Sequence, residues 1–455
     1  MKRERLETEK IWKLLTEFSI PAVTGMIVHS CYNIVSRIYI GNSSNPGIDG
    51  LAALGIAFPL ILILFALCCL SGIGGTTLYS IKLGEKKLDE AEQILGNAII
   101  IAVVTAVVSG IFIWIFSYDL LVLFGGSGKI IVYAKEYLSV FILGCVFGAL
   151  SFTINAFVRA DGSPNTAMLT MLIGAVVNII LTPLFIYIFK WGMQGAALAT
   201  ILGQFVTMCR VIAYFRSGKS SVSLTLKIIK PDFKLIKMIS ARGLSTCFMQ
   251  FVNALVMVIM NKSLFLYGGD LAVSVMIIIA AIQTILVMPV VGLAQGAQPI
   301  IGYNFGAGRL DRVIETLKKS LIAATALVLT SYILIRIFPS QIISMFNNEQ
   351  RVLDMGVHCM LIWILAIPVV GLQIMGSCYF QSIGKVMPSI ITSLTRQLLL
   401  FIPAMLILPK FFGFEGILYS APFSDFLSAV ITGIWVWFDI KTQIKPKHFT
   451  EVLAG

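Results

Sequence analysis

The sequence contains few charged residues. Lys, Arg, Asp and Glu together make up 12% of its 455 residues, about half of the roughly 25% that is usual in soluble globular proteins. So few charges would leave the surface of a soluble protein of this size largely apolar. The composition therefore argues against a soluble globular chain.

Residues and motifs that serve metal, redox and nucleotide chemistry are also scarce. The chain has three histidines, and its eight cysteines are scattered through apolar stretches without a C-x-x-C pair. Neither a P-loop nor an H-E-x-x-H motif occurs. The sequence thus predicts no disulfide framework, no metal site, no bound cofactor, and neither enzymatic nor nucleotide-driven activity.

What the sequence has instead is long apolar runs. Apolar residues make up 58% of the chain, and the mean hydropathy is +0.93. A helix needs about 20 mostly apolar residues to cross a bilayer. We therefore predict an all-α membrane protein with twelve transmembrane helices, called spans 1 to 12. They lie at 12–40, 51–81, 93–117, 133–157, 165–189, 193–215, 239–266, 272–302, 318–338, 355–380, 388–408 and 416–438.

The basic residues indicate how these spans are oriented. Although the formal net charge is +12, Lys and Arg cluster before span 1 and after spans 2, 6, 8 and 12, and the loops 41–50 and 267–271 contain neither. With twelve spans, all the clusters fall on one side. The positive-inside rule then predicts a multi-pass protein of the inner (cytoplasmic) cell membrane with both termini in the cytoplasm. The basic excess indicates topology and contact with anionic membrane lipids, and no nucleic-acid partner is expected.

The two halves of the chain repeat one another. A shift of 222 residues places Gly74 on Gly296 and Gly84 on Gly306. Six spans per repeat is an even number, so the halves have the same orientation and a pseudo-two-fold axis along the membrane normal. Such proteins commonly bind a substrate between their halves. The predicted units are an N-terminal six-helix bundle (1–215), a cytoplasmic linker (216–238), a C-terminal six-helix bundle (239–440) and a cytoplasmic tail (441–455).

Several motifs carry a family resemblance. The most specific is GLAQGAQPIIGYNFGAGR at 292–309. It is accompanied in order by Pro21–Gly25, Tyr32–Gly41, Gly72–Gly84, Arg396-Gln397 and Pro422–Asp425. The chain resembles the MATE (multidrug and toxic compound extrusion) family, in particular its DinF-like, MepA-like bacterial branch. The resemblance implies a V-shaped pair of six-helix bundles. It also implies efflux of amphipathic, often cationic small molecules by antiport with Na⁺ or H⁺. We expect a monomer.

The resemblance also implies a cation site in the first half. Many members of the family use an Asp in span 1, an Asn and an Asp four residues apart in span 5, and a Thr in span 6. Here Asn178 and Thr200 match the Asn and Thr, whereas Ser36 and Thr182 replace the two carboxylates. Neutral oxygens can hold Na⁺ weakly but cannot take up a proton. Ordinary interhelical hydrogen bonding is the alternative interpretation of these residues.

The second half keeps charge within its spans. Arg396 lies in span 11 and Asp425 in span 12, where each charge costs about 2.5–3.5 kcal/mol to insert at a helix centre. If they face one another, they form either a structural ion pair or a pair that couples transport to a cation. Pro21 in span 1 has no backbone donor and is a candidate hinge.

Substrate contacts are expected in the central cavity from polar and adaptable side chains. The candidates are Tyr32, Asn33, Met249, Gln250, Asn253, Met257 and Gln283, each of which is equally explained by packing or lipid contact. A lipid-linked precursor flippase is the alternative function. It needs a more basic cavity than expected here, since we count only Arg396 and Arg37 among basic residues within spans. A non-transporting receptor or scaffold is a third reading, which the repeats argue against.

Overall fold

The protein is almost entirely helical. A computed structural model describes residues 4–43, 46–218, 220–225, 228–346 and 349–444. Within these ranges no strand occurs, and eleven helices are long and apolar enough to cross a membrane, or twelve when a bent pair counts as one. The prediction of an all-α membrane fold with twelve spans is thereby confirmed.

The twelve membrane helices follow the predicted spans in order, and short helices at Glu4–Thr8, Ser117–Leu123 and Pro339–Ser344 accompany them. The long helices are α1 Ile11–Gly41, α2 Ile48–Gly84, α3 Leu88–Ile115, α4 Gly128–Ala160, α5 Pro164–Ile188, α6 Gly192–Arg216, α7 Phe233–Gly269, α8 Leu271–Gly306, α9 Leu310–Ile337, α10 Gln350–Trp363 with Ile367–Ser382, α11 Val386–Phe412 and α12 Phe414–Ile444.

Helix α10 is the bent pair, and its two segments meet at 48°. The second segment begins at Ile367, and Pro368 follows within its first turn. A proline ring clashes with the carbonyl four residues earlier, which is that of Ile364, the C-cap of the first segment. The proline therefore explains why the break occurs at this point.

A glycine separates α7 from α8. Gly269 has φ 67° and ψ −167° between two otherwise helical stretches. A side chain at that φ would be strained, so glycine permits the chain to reverse without a loop. The predicted loop 267–271 is accordingly reduced to a tight break.

The inter-bundle segment and the connections α2–α3, α4–α5, α8–α9 and α10–α11 share one side of the helix array, which we call the linker side. On this side the two halves meet at glycines that allow backbones to touch. A Cβ on Gly74 would lie 2.1 Å from the Ile239 carbonyl oxygen, and one on Gly243 would lie 2.5 Å from Leu70. Helix α2 therefore packs against α7 with no side chain between them.

The contact between α2 and α8 is reciprocal. A Cβ on Gly84 would lie 2.0 Å from the Tyr303 carbonyl oxygen, and a Cβ on Gly306 would lie 2.0 Å from that of Ile81. The 222-residue shift turns Gly84 into Gly306 and Ile81 into Tyr303, so it exchanges the two contacts. This exchange is what a two-fold axis between α2 and α8 requires.

A carboxylate secures the connection after the first half. Asp161, in the turn between α4 and α5, accepts hydrogen bonds from the hydroxyls of Tyr79 (3.0 Å) and Tyr214 (2.7 Å) and from the Ser221 amide (3.0 Å). Burial raises the pKa of Asp161 above its usual range, although these donors oppose the shift. The side chain joins α2, α6 and the linker.

The boundaries between the predicted units are not sharply marked. Helix α6 ends at Arg216, but α7 begins at Phe233, within the predicted linker. Helix α12 continues to Ile444, past the predicted end of the second bundle, and residues 445–455 lie outside the described part of the chain. The division into two bundles, linker and tail stays a prediction.

The reciprocal glycine contact leads to a stability prediction. Gly84→Ala places a methyl group against the Tyr303 carbonyl and should lower the free energy of unfolding by about 1–3 kcal/mol, the usual cost of overpacking. Gly55→Ala, in the same helix as Gly84, is the matched control, because a Cβ at Gly55 would meet nothing within 4 Å. Thermal unfolding in detergent measures both. Equal melting temperatures for the two variants would contradict the tight contact.

Candidate functional site

The four polar residues singled out in the first half meet in one cluster. The Ser36 hydroxyl on α1 donates to the Asn178 amide oxygen on α5 (2.8 Å), and the Asn178 amide nitrogen donates to the Thr200 hydroxyl on α6 (3.2 Å). The Thr182 hydroxyl donates to the Asn178 carbonyl (2.7 Å) and lies 3.5 Å from its amide oxygen. Asn178 is therefore the centre that joins α1, α5 and α6.

The cluster is neutral and internally satisfied. Asn178 is 2% exposed and Thr182 is fully buried. Buried polar groups normally require hydrogen-bond partners, which by itself accounts for the residue types. Among the described side chains, the cluster offers oxygen ligands to a hard cation but no carboxylate.

The charged pair of the second half is in direct contact. The Arg396 guanidinium donates to one carboxylate oxygen of Asp425 at 2.5 Å, with the side chains 17% and 2% exposed. Arg396 lies in a π-helical stretch, Thr395–Phe401, that runs into Pro403. Single-turn π stretches often occur at functional sites. The expectation that the two charges face one another agrees with this geometry.

One carboxylate oxygen of Asp425 is left over. Among the described residues, Oδ2 is buried and has no hydrogen-bond partner. A buried charged acceptor without a donor is costly, by about 1–3 kcal/mol or more. Arginine stays protonated in proteins, so Asp425 is the member of the pair that can accept a proton or ligate a cation. No corresponding group exists in the first-half cluster.

Four of the proposed substrate contacts, Met249, Gln250, Asn253 and Met257, lie on α7. Gly243, Gln250 and Met257 follow at intervals of seven residues and therefore share one face of the helix. Gly243 meets Leu70 of α2, so this face is turned towards the first half. Asn253 donates to the Gln250 side-chain oxygen (2.9 Å), and Met257 is 49% exposed. Met249 precedes Gln250 and points about 100° away from it.

The other substrate candidates are more dispersed. Gln283 of α8 accepts a hydrogen bond from the Trp363 indole (3.0 Å), whose ring packs edge-on against Phe401. This contact lies within the second half, and a Gln at 283 could not reveal it from sequence. On α1, Tyr32 is half-buried and Asn33 is exposed. The structure does not gather all seven residues at one point.

Arg37 occupies an open pocket on the side opposite the linker. The guanidinium lies over the Phe58 ring, 5.5 Å from its centroid, and no carboxylate pairs with it among the described residues. The pocket has a volume of about 360 Å³ and is lined by Ile34, Arg37, Ile38, Gly41, Asn42 and Leu51. A cation held on a ring in this way keeps its charge available to a ligand.

The number of basic residues within the membrane helices has to be corrected. Besides Arg37 and Arg396, the predicted spans contain eight further basic residues: Lys13, Lys135, Arg210, Arg242, Lys262, Lys318, Lys319 and Arg336. Several of them lie near span ends, where long basic side chains can reach water. The count of only two basic residues within the spans was wrong. The argument that a flippase would need a more basic cavity is therefore weaker.

Comparison with known proteins now bears on this geometry. The MatE family model matches residues 21–184 and 244–406, which is more than half of the chain. The chain belongs to the MatE family. It is therefore a membrane transporter and not an enzyme, and the family expected from the sequence motifs is confirmed.

Individual relatives of this MatE-family protein cover nearly its whole length. Multidrug export protein MepA of Staphylococcus aureus (strain MSSA476) is 24% identical over 442 residues, which is 96% of each chain. A MATE transporter solved in the bent conformation has a TM-score of 0.91 and 24% identity, covering 98% of this chain and 99% of its own. An outward-facing multidrug resistance transporter of the MOP superfamily also has a TM-score of 0.91, at 23% identity and the same coverage.

The buried pair leads to a prediction about stability. Arg396→Met leaves the Asp425 charge unpaired and should cost about 3–5 kcal/mol of folding free energy. Adding Asp425→Asn removes that charge and should restore part of the loss. Arg336→Met is the control, since Arg336 is exposed and, in the described part of the chain, bonded only to Tyr332. Thermal unfolding of the three variants tests this, and equal stability of the single and double variants would refute a coupled pair.

Proposed function

We propose that this MatE-family transporter is a secondary-active multidrug exporter. It moves amphipathic, cationic compounds out of the cell by antiport with H⁺ or Na⁺, and its two halves alternate access to the two sides of the membrane. The linker side is cytoplasmic, in agreement with its clusters of Lys and Arg. The described state, with its halves joined by glycine contacts on that side, is then the one closed to the cytoplasm.

The unpartnered oxygen of Asp425 is the observation that carries the coupling proposal. A proton on this carboxylate would cancel the attraction that holds Arg396, and Na⁺ at Oδ2 would compete with the guanidinium for the same charge. Either event leaves a net positive charge in a buried place, which favours rearrangement of the helices around it. The π-helical stretch that carries Arg396 has irregular backbone bonding, so it can adjust at low cost.

The first-half cluster has a supporting role in this proposal. It lacks a carboxylate, so it cannot couple to protons, although its oxygens can assist Na⁺. The Gln250, Asn253 and Met257 surface of α7 supplies the substrate contacts, because flexible thioether and amide groups adapt to different shapes. The relative MepA is a multidrug export protein by name, which agrees with such a surface.

Transport into proteoliposomes under separately imposed Na⁺ and H⁺ gradients tests the proposal, with ethidium as the probe. Asp425→Asn should reduce gradient-driven transport at least about tenfold, whereas Ser36→Ala should change it less than about twofold. Melting temperatures of both variants control for misfolding. A comparable loss in Ser36→Ala, or full activity of Asp425→Asn, would remove the coupling role from Asp425. No transport of any compound under either gradient would remove the exporter itself.

A lipid-linked precursor flippase is the second candidate, because Arg37 offers a positive charge in an open pocket and no described carboxylate pairs with it. The two functions respond differently to Arg37→Gln. In a cation exporter, removing a positive charge from the path should raise ethidium transport about two- to fivefold, since like charges repel. If the protein is a flippase, neither the unmodified protein nor Arg37→Gln would transport ethidium. A fluorescent polyprenyl-phosphate lipid would then cross the membrane faster with the unmodified protein than with Arg37→Gln.

A further inference from the structure

The residues before α1 lie against the opposite half. We call residues 4–10 the N-terminal strap. Although they lead into the first half, Leu6 is 3% exposed, and the Tyr303 hydroxyl of α8 donates to the Glu7 carboxylate (3.3 Å). The Asn304 amide of α8 donates to the Leu6 carbonyl (3.2 Å). The strap therefore crosses from one half to the other on the linker side.

A buried arginine holds this strap. Arg312, near the start of α9, is 9% exposed and donates to the carbonyls of Leu6 (3.0 Å) and Glu9 (2.7 Å) and to the Asn304 side chain (3.2 Å). No carboxylate pairs with it among the described residues. A buried guanidinium without a counter-charge depends on such acceptors. Two of its three acceptors belong to the strap, so its burial depends on the strap being docked.

The strap is also fixed to the helix that follows it. Arg5 bonds Glu9 at 2.8 Å and Glu17 at 2.6 Å, and Glu17 lies in α1. Helix α1 in turn joins α5 through Ser36 and Asn178. A rigid connection thus runs from the first half through the strap to Arg312 in the second half.

The linker makes the counterpart contact on the first half. The amide of Ser223 donates to Glu92 (2.8 Å), and that of Asp232 donates to Asn97 (2.8 Å), both on α3. The 222-residue shift relates α3 to α9, so each lead-in segment docks at the third helix of the half opposite the one it enters. Non-covalent contacts alone hold the N-terminal strap to α9, so this contact can be released without breaking the chain.

We propose that the N-terminal strap and Arg312 form a latch that stabilises the state closed on the linker side, and that its release accompanies opening to that side. This inference rests on the alternating access proposed above. Arg312 acts as a positioning residue, because it contacts neither substrate nor coupling ion. Opening separates α9 from α1 and withdraws the carbonyls from Arg312. Contacts present in one state alone shift the equilibrium towards that state.

The distance between the halves on the linker side tests the latch. Spin labels are attached at Asp89 of α3 and Lys318 of α9, which are both exposed. The distance between the labels is measured by pulsed electron paramagnetic resonance on the full chain in lipid nanodiscs. Cys31 and Cys209, the exposed native thiols, are first replaced by serine. Arg312→Gln should raise the ratio of long to short distances at least about tenfold, a factor that corresponds to 1.4 kcal/mol. Arg312→Lys should give an intermediate ratio.

Two further variants separate the latch from a general loss of structure. Deletion of residues 2–9 removes the strap without changing α9 and should raise the same ratio by a similar factor. If Arg312→Gln does not fold, the deletion variant alone tests the latch. Arg309→Gln is the matched control, since Arg309 precedes the same helix but pairs, among the residues described, only with Asp311. Ratios for the deletion and Arg312→Gln within about twofold of this control would overturn the latch.

The same labels distinguish failure of the latch from failure of the proposed function. If the unmodified protein shows no long-distance population at any pH or Na⁺ concentration tested, and neither variant does, alternating access and the latch both fall. If the unmodified protein shifts with pH or Na⁺ concentration but the two variants match Arg309→Gln, only the latch is wrong.

Discussion

The close approach of α2 to α8 is the constraint on which the rest of the molecule depends. Where backbones touch, neither helix can carry a side chain larger than hydrogen, and small residues are how membrane helices associate without a hydrophobic driving force. The Gly84 and Gly306 contacts fix the axis that relates the halves. Once that axis is fixed, α1 must lie on α8 and α7 on α2. The strap and linker then cross between halves because they lead into these helices.

The two halves stabilise their buried polar groups in different ways. In the first half, one amide, that of Asn178, satisfies hydroxyls from α1 and α6 without any charge. In the second half, full charges are neutralised by contact, and one acceptor is left over. A network whose hydrogen bonds are all made gains no further bonds by rearranging. An oxygen without a partner favours any state that gives it a proton, a cation or a hydrogen-bond donor. This asymmetry is the ground on which we propose the responsive role for the second half.

Sequence patterns predicted the parts of this structure that repeat and failed where single contacts decide. Apolar runs gave the order of the twelve helices, and the glycine spacing gave the offset that exchanges Gly84 with Gly306. The cost of burying charge correctly paired Arg396 with Asp425. No pattern could show that Arg312 is buried by backbone carbonyls, because those acceptors leave no trace in residue types. The bend at Ile364 had a signal in Pro368, but prolines elsewhere, such as Pro59 in α2, do not interrupt their helices.

The π-helical stretch of α11 has a consequence for the symmetry itself. A π turn accommodates one residue more than an α turn over the same rise, so it rotates all that follows about the helix axis. In α11 the stretch covers Thr395–Phe401, whereas in α5 it covers Leu184–Ile188, which is not the equivalent position. Between these points the fifth helices of the two repeats are out of phase. A side chain transferred from one half to the other by counting residues would there point in a different direction, so each half can evolve its own interior while the outer frame stays symmetric.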